Sequence, residues 1–280
     1  MAAPLYRFPS SAPTGAPLVN LAYANGFLPQ TYTAALTPLF EHYQVVAAHA
    51  RPMWQPPPAP ETLHHWRQLS ADLLAQLDPL ASQPVIGIGH SVGAIATLYA
   101  AVARPDRFRC VVLIDPTLLS GRYLRGLWLM RLIGRDARMR LVSGALKRGR
   151  HWESAEAAYT YFRGKRLFSR WSDAAVRVYS DSLTAPDPAG GVQIVFPPEW
   201  EARIYQTIPL DVWQIPARLT VPTLVIRGEL SNTFHAESAS RFSRLNPRAT
   251  LITIPDAGHL VAQEQPEATG RAIADFIRAH

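Results

Sequence analysis

Short apolar runs that alternate with stretches of helical periodicity constrain the fold more than any other feature of this sequence. Such alternation is typical of an α/β protein whose mostly parallel sheet is flanked by helices. The runs predicted as strands are 18–24, 44–48, 84–89, 109–115, 222–227 and 250–254. The stretches predicted as helices are 60–77, 92–103, 236–244 and 266–279.

The alternation is interrupted after Asp115. Between about residues 119 and 210 the chain is rich in Arg and aromatic residues, mostly helical in periodicity, and broken by a Pro, Gly and Asp stretch at 185–191. Strand-like periodicity returns only near Val221. We therefore predict a core made of 1–118 and 211–280, interrupted by a helical insertion at 119–210.

The positive charge is concentrated in that insertion. Residues 120–170 hold thirteen Lys and Arg against three Asp and Glu, a local charge of +10. Since the whole chain has a net charge of +7, the remaining residues together carry −3. The segment matches no nucleic-acid recognition motif, and a solvated basic surface is expected; attraction for an anionic membrane surface or an acidic substrate stays open. No apolar span of 18 residues and no signal peptide is found, which favours a cytoplasmic protein without an integral membrane segment.

Cysteine and histidine usage argues against a metal or disulfide framework. Cys110 is the only cysteine and lies in an apolar run, where a buried core thiol is expected. The histidines, including the pair at His64 and His65, show no metal-ligand spacing. A dinucleotide site is not expected, because Val92 stands where the third glycine of that motif would be. No cofactor and no metal is predicted.

The turn after the third predicted strand carries a Gly-x-Ser-x-Gly motif, Gly89-His90-Ser91-Val92-Gly93. The pentapeptide alone is weak, but an apolar strand precedes it and a helix of small residues follows. In this context the serine lies on a strained turn at the carboxyl edge of the sheet, near the positive end of a helix. Ser91 is thus the candidate nucleophile; the alternative is a capping serine on an ordinary turn.

The candidate general base follows the last predicted strand. His259 comes after a turn of small residues and before the polar stretch 263–267, so it is not expected inside a strand. A structural histidine is the alternative.

Together these motifs resemble the α/β-hydrolase superfamily. The resemblance rests on Gly-His-Ser-Val-Gly around Ser91 and on a late Gly-His at His259 ahead of Gln-x-Gln-Pro-Glu, and it covers nearly the whole chain. It implies a serine hydrolase whose nucleophile, acid and histidine follow in that order. It also implies that the insertion 119–210 is a cap over the serine.

The acid departs from the common family pattern. Asn232 occupies the place where the resemblance leads us to expect an aspartate. Asparagine can orient an imidazole but cannot stabilise imidazolium by charge. Asp115 is the preferred candidate, since it lies where a minority of relatives resembling haloalkane dehalogenases place the acid. Glu229 in the usual loop, and a purely structural Asp115 in a turn, stay open.

The resemblance also implies an oxyanion hole and substrate contacts. Its backbone donors would be Val92, after the nucleophile, and Phe27, where Asn-Gly-Phe stands for the usual His-Gly-x. A plain tight turn is the alternative. Asn25, His90 and Trp54 are expected to contact the substrate.

Taken together, these features predict cleavage of a carboxylic ester or related acyl bond of a small apolar substrate through an acyl-enzyme. A non-catalytic small-molecule-binding protein is one alternative, motivated by Asn232. A cofactor-free haloperoxidase or lyase of the same fold is another, because fold alone does not choose the reaction. The oligomeric state is left open.

Overall fold

The computed structural model describes residues 5–80 and 82–280. Residues 1–4 of the predicted core lie outside the described residues. Strands within these ranges are, in chain order, β1 (Leu5–Arg7), β2 (Leu18–Ala22), β3 (Gln44–Ala48), β4 (Val85–His90), β5 (Phe108–Ile114), β6 (His151–Trp152), β7 (Thr184–Pro186), β8 (Val192–Ile194), β9 (Thr223–Gly228) and β10 (Thr250–Ile254).

The α-helices within the same ranges are α1 (Thr33–Leu36), α2 (Arg67–Leu77), α3 (Val92–Ala103), α4 (Gly121–Leu132), α5 (Arg140–Leu146), α6 (Ala155–Arg163), α7 (Asp173–Leu183), α8 (Pro198–Gln206), α9 (Ala236–Leu245), α10 (Val261–Glu264) and α11 (Pro266–Ala279). Short 3-10 turns join several of them.

The main sheet confirms the predicted α/β class. In the described ranges it has seven strands in the order β1-β3-β2-β4-β5-β9-β10. All pairs are parallel except β1 with β3. The central strand β4 is buried along its whole length, as expected for a parallel strand with helices on both faces. The carboxyl ends of the parallel strands consequently meet at one edge, where the site lies.

Two predictions about the core need correction. Strand β1 was not predicted, because three residues are too few to show a period. The helix predicted over 60–77 begins only at Arg67, and Pro60–Thr62 forms a separate 3-10 turn. The backbone N–H groups of His64 and His65 both donate to Gln68 Oε1, at 2.7 and 3.1 Å. This side chain satisfies donors that a continuous helix would have used.

The insertion between β5 and β9 contains α4 to α8 and also a small antiparallel sheet in the order β6-β8-β7. The insertion was predicted as mostly helical, and this small sheet was not anticipated. These strands have only two or three residues. Gly190 and Gly191, at φ +107° and +73°, lie in the turn that joins β7 to β8, a conformation that glycine adopts without strain.

Buried aromatic rings join the insertion to the core. Phe168, Trp171 and Tyr179 pack on one another with ring centroids 4.7 to 5.9 Å apart. Phe27 in the loop after β2 contacts Trp171 and Tyr179, at 6.0 and 5.3 Å between centroids. Through this cluster the insertion packs directly against the loop that is predicted to supply an oxyanion donor.

Candidate active site

The turn between β4 and α3 holds Ser91 in a strained backbone conformation, with φ 57° and ψ −115°. The flanking glycines explain how the chain can turn so sharply. A Cβ on Gly89 would lie 2.5 Å from the Gly93 carbonyl oxygen, and one on Gly93 would lie 2.0 Å from the Ala22 carbonyl oxygen. No residue with a Cβ fits either position. Strain of this kind is concentrated at functional sites.

His259 lies beside this turn, after β10, although 168 positions separate it from Ser91. Its Nε2 is 3.0 Å from Ser91 Oγ. Thr117 Oγ1 is 3.1 Å from the same oxygen. The serine hydroxyl therefore has an imidazole nitrogen on one side and a second hydroxyl on the other, and Thr117 was not anticipated from the sequence.

Asp115 follows β5 and contacts the other nitrogen of the same ring. Its Oδ1 lies 2.6 Å from His259 Nδ1 and also accepts a hydrogen bond of 2.6 Å from Ser231 Oγ. Its Oδ2 accepts one of 2.9 Å from the Gly228 N–H. The side chain is completely buried, and three donors compensate a carboxylate for lost hydration.

These partners fix the histidine tautomer. An ionised carboxylate can only accept hydrogen bonds, so the proton of a neutral His259 ring lies on Nδ1. Its Nε2 then accepts from the Ser91 hydroxyl, and Thr117 can donate to the Ser91 oxygen. This is the arrangement in which an imidazole can remove the serine proton.

The other two acid candidates lie elsewhere. Glu229 is exposed, and its Oε2 accepts from the Asp256 N–H at 3.1 Å. Asn232 is exposed, and its Oδ1 accepts from Thr233 Oγ1 at 3.3 Å. Among the three side chains considered, Asp115 is the one that the structure brings to His259.

The predicted oxyanion donors belong to two different parts of the fold, the start of α3 and the turn after β2. Val92 is the first residue of α3, so its N–H has no acceptor within the helix. Phe27 follows Gly26, whose φ is +75°. The Phe27 N–H closes this turn on the Ala24 carbonyl at 3.2 Å. An oxyanion would have to share that donor or take it over.

The turn formed by residues 24–27, here called the oxyanion turn, is held by the insertion. Asn25 Nδ2 donates to the Glu201 backbone carbonyl at 2.9 Å, and Tyr179 Oη donates to the Gly26 carbonyl at 3.3 Å. A Cβ on Gly26 would lie 3.1 Å from the Glu201 carboxyl carbon. Asn25, predicted to touch substrate, is thus buried against α8, although it also lines the cavity described below.

The carboxylate of Glu201 is itself paired. Arg148 Nη2 donates to its Oε1 at 2.8 Å, and Arg148 Nη1 donates to Tyr179 Oη at 3.2 Å. Burial raises the pKa of Glu201, an effect that the neighbouring guanidinium opposes. The pair lies against the oxyanion turn and was not anticipated from the sequence.

His90, predicted to contact substrate, instead has both ring nitrogens paired inside the protein. Its side chain is completely buried. Its Nε2 donates to the His259 carbonyl at 2.9 Å, and its Nδ1 accepts from Tyr32 Oη at 2.7 Å. Tyr32 Oη in turn accepts from the Ala24 N–H at 3.0 Å. Burial lowers the pKa of His90 to about 3, and the nearby His259 ring adds to the effect. A neutral His90 therefore links the loop of His259 to the oxyanion turn.

A cavity of about 60 Å³ lies beside the amino end of α3, and neither Ser91 nor His259 is part of its wall. Its wall includes Val92 and Gly93 of α3, Asn25 of the oxyanion turn, and Phe196 and Ile204 of the insertion. The lining is mainly apolar, so a small apolar group fits the space.

Trp54, predicted to contact substrate, is not part of this wall. Its indole Nε1 donates to the His49 carbonyl at 2.8 Å. The wall there is formed instead by Arg51, which pairs with Asp72 through Nε and Oδ2 at 2.6 Å.

Within residues 5–80 and 82–280, no group of three or more His, Cys, Asp or Glu is placed to hold a metal ion. None of the helices in that part of the chain combines the length and apolar character needed to span a bilayer.

Comparisons with known proteins agree with the fold. The model of a family described as "alpha/beta hydrolase fold" matches residues 29–266. The 2-(acetamidomethylene)succinate hydrolase of Mesorhizobium japonicum is 29% identical over 220 residues, which are 79% of this chain and 73% of that protein. Lipase LipV of Mycobacterium tuberculosis is 27% identical over 233 residues, 80% of this chain and 78% of that protein.

A solved structure shows the same fold. The crystal structure of E-2-(acetamidomethylene)succinate hydrolase superimposes with a TM-score of 0.79 at 24% identity, covering 98% of this chain and 94% of that chain.

Proposed function

Since the chain belongs to the α/β-hydrolase family, we propose that it is a serine hydrolase that cleaves a carboxylic ester or related acyl bond of a small apolar substrate. One observation carries the proposal: the His259 ring lies between the other two side chains. Its Nε2 is 3.0 Å from Ser91 Oγ, and its Nδ1 is 2.6 Å from Oδ1 of the buried Asp115. Its relatives include proteins named as hydrolases and a lipase.

The proposed reaction begins at the serine hydroxyl. His259 Nε2 takes the proton of Ser91 as Oγ attacks the substrate carbonyl carbon. Asp115 holds the ring through Nδ1 and stabilises the imidazolium by charge. The carbonyl electrons move onto oxygen, and the N–H groups of Val92 and Phe27 are the proposed donors to this oxyanion.

Collapse of the tetrahedral intermediate breaks the bond to the leaving group. His259 returns its proton to the departing oxygen, and an acyl group remains on Ser91. Water, deprotonated by the same imidazole, then attacks the acyl carbon, and Ser91 recovers its proton as the acid product leaves. The proposed steps need no cofactor and no metal.

The cavity at the start of α3 supports an apolar acyl group, because its lining is mainly apolar. The Mesorhizobium relative is named as a hydrolase of an acetamido compound, so an acetyl group on nitrogen is a second substrate to test. Thioesters and lactones are allowed by the same chemistry.

We also propose that residues 119–210 act as a cap on a core formed by 1–118 and 211–280. The contacts of Tyr179 and Glu201 with the oxyanion turn support this division. A small-molecule substrate and a cytoplasmic location are part of the same proposal.

A series of p-nitrophenyl esters tests the function. Wild type and Ser91→Ala are compared on acetate, propionate, butyrate and octanoate, with an N-acetyl enamine derivative as an amide-type substrate. We expect turnover by wild type alone, and the four esters show which acyl chain length is preferred. Absence of turnover on every substrate by correctly folded wild type would favour the non-catalytic binding protein.

A further inference from the structure

Helix α4 carries an uncovered apolar stripe. Trp128, Leu129 and Leu132 are 54, 50 and 66% exposed. On a helix these positions project from one side. Ile133, immediately after the helix, is 50% exposed. Neighbouring apolar side chains of this size seldom face water without a partner.

The opposite side of α4 is anchored to the protein. Leu127 is buried, and Arg131 Nη2 donates to the backbone carbonyls of Gln206 and Ile208, the latter at 2.7 Å. The helix is therefore held in place while its stripe stays outward. Packing within this molecule therefore does not explain why Trp128, Leu129 and Leu132 are apolar.

The surroundings of the stripe are cationic. Arg122, Arg125, Arg135 and Arg138 are all exposed. Across residues 121–140 the sequence holds six Arg and a single acidic residue, Asp136. Apolar and aromatic side chains flanked by arginines are the pattern of a helix that lies in the plane of an anionic membrane surface.

We propose that α4, with Arg122 and Arg125 within it and Arg135 and Arg138 after it, forms a docking surface for an anionic lipid bilayer. Trp128, Leu129 and Leu132 enter the boundary between headgroups and acyl chains, and the arginines contact the lipid phosphates. A second copy of this chain is a poorer occupant, because it would bring two arginine-rich faces together. This proposal does not depend on the chemistry at Ser91.

Co-sedimentation with vesicles tests it. Full-length wild type is mixed with vesicles of equal parts phosphatidylglycerol and phosphatidylcholine, and with vesicles of phosphatidylcholine alone. We expect binding to the anionic vesicles that weakens as salt is added. We expect Leu129→Ser with Leu132→Ser to weaken binding about tenfold or more, and Arg122→Gln with Arg125→Gln to weaken it about tenfold to thirtyfold.

Matched variants separate docking from general effects. Leu167→Ser removes an equally exposed leucine elsewhere in the insertion, and Arg244→Gln with Arg248→Gln removes two exposed arginines of the core. These should bind as wild type does, and the α4 variants should keep wild-type turnover of soluble esters. Equal binding by wild type and α4 variants, or no binding to anionic vesicles, overturns the proposal. Concentration-dependent dimerisation lost in the leucine variant would overturn it in favour of a second copy.

Discussion

His259 Nδ1 lies 2.6 Å from Asp115 Oδ1, although 144 positions separate the two residues. Asp115 ends β5 and His259 follows β10, so β9 lies between the two strands in the sheet. The pair forms because both loops leave the same edge. The Gly228 N–H at the end of β9 also donates to this carboxylate, which ties all three strand ends to one side chain.

The first prediction concerns the acid. Asp115→Asn should lower kcat by about ten-thousandfold on p-nitrophenyl acetate, because an amide cannot stabilise the imidazolium and favours the wrong tautomer. Glu229→Gln and Asn232→Ala should leave kcat near wild type, since neither side chain contacts His259. Steady-state kinetics with circular dichroism of each variant checks this. If Asn232→Ala alone reduces kcat, the assignment of Asp115 is wrong.

The second prediction concerns the serine turn. Gly93→Ala places a Cβ 2.0 Å from the Ala22 carbonyl oxygen, so the free energy of unfolding should fall by about 3 kcal/mol or more. Gly144→Ala in α5 meets nothing within 4 Å and should be neutral or slightly stabilising. Urea unfolding of the two variants makes the comparison. Equal stabilities would show that the turn is not packed as described.

The third prediction concerns pH. The folded pKa of His90 is about 3, against an ordinary value of 6.5, so between these values the unfolded chain binds a proton that the folded protein does not. This residue therefore costs no stability above pH 6.5 and progressively destabilises the fold as pH falls towards 3. His90→Asn should be less stable than wild type at neutral pH, because its buried partners lose hydrogen bonds.

The difference between His90→Asn and wild type should then shrink by about 1 kcal/mol for each pH unit below 6.5. Urea unfolding at several pH values measures it. A difference that does not change with pH would contradict a buried neutral histidine.

The fourth prediction concerns the oxyanion turn. Tyr179→Phe removes the hydrogen bond to the Gly26 carbonyl, so kcat should fall about fivefold with little change in KM. Tyr159→Phe serves as a control, since the Tyr159 ring packs under Arg177 away from this turn. Reduced stability with unchanged kcat would mean that Tyr179 has only a structural role.

Short apolar runs predicted the strands that build the parallel sheet, because parallel strands buried on both faces are continuously apolar. Ser91 and His259 were found because each stands in a local motif. The identity of the catalytic acid could not be predicted, because it depends on which loops meet in space. Asp115 and Asn232 each follow a strand that reaches the edge of the sheet near His259. Ser231 and Thr117 carry no motif at all.

His90 shows why a neighbour in sequence is not a neighbour in the site. It precedes Ser91 directly, yet its side chain points into the core towards Tyr32. The strands of the small sheet were missed because two or three residues show no period. The hydrogen bond from Trp54 to the His49 carbonyl could not be predicted from sequence spacing.

The most direct test of the account is labelling with a fluorophosphonate probe, which reacts with a serine only when a base and an oxyanion hole activate it. Folded wild type should be labelled rapidly, with the adduct mapped to Ser91 by peptide mass, and folded Ser91→Ala should stay unlabelled. A folded wild type that remains unlabelled, or an adduct that persists in Ser91→Ala, would contradict the account.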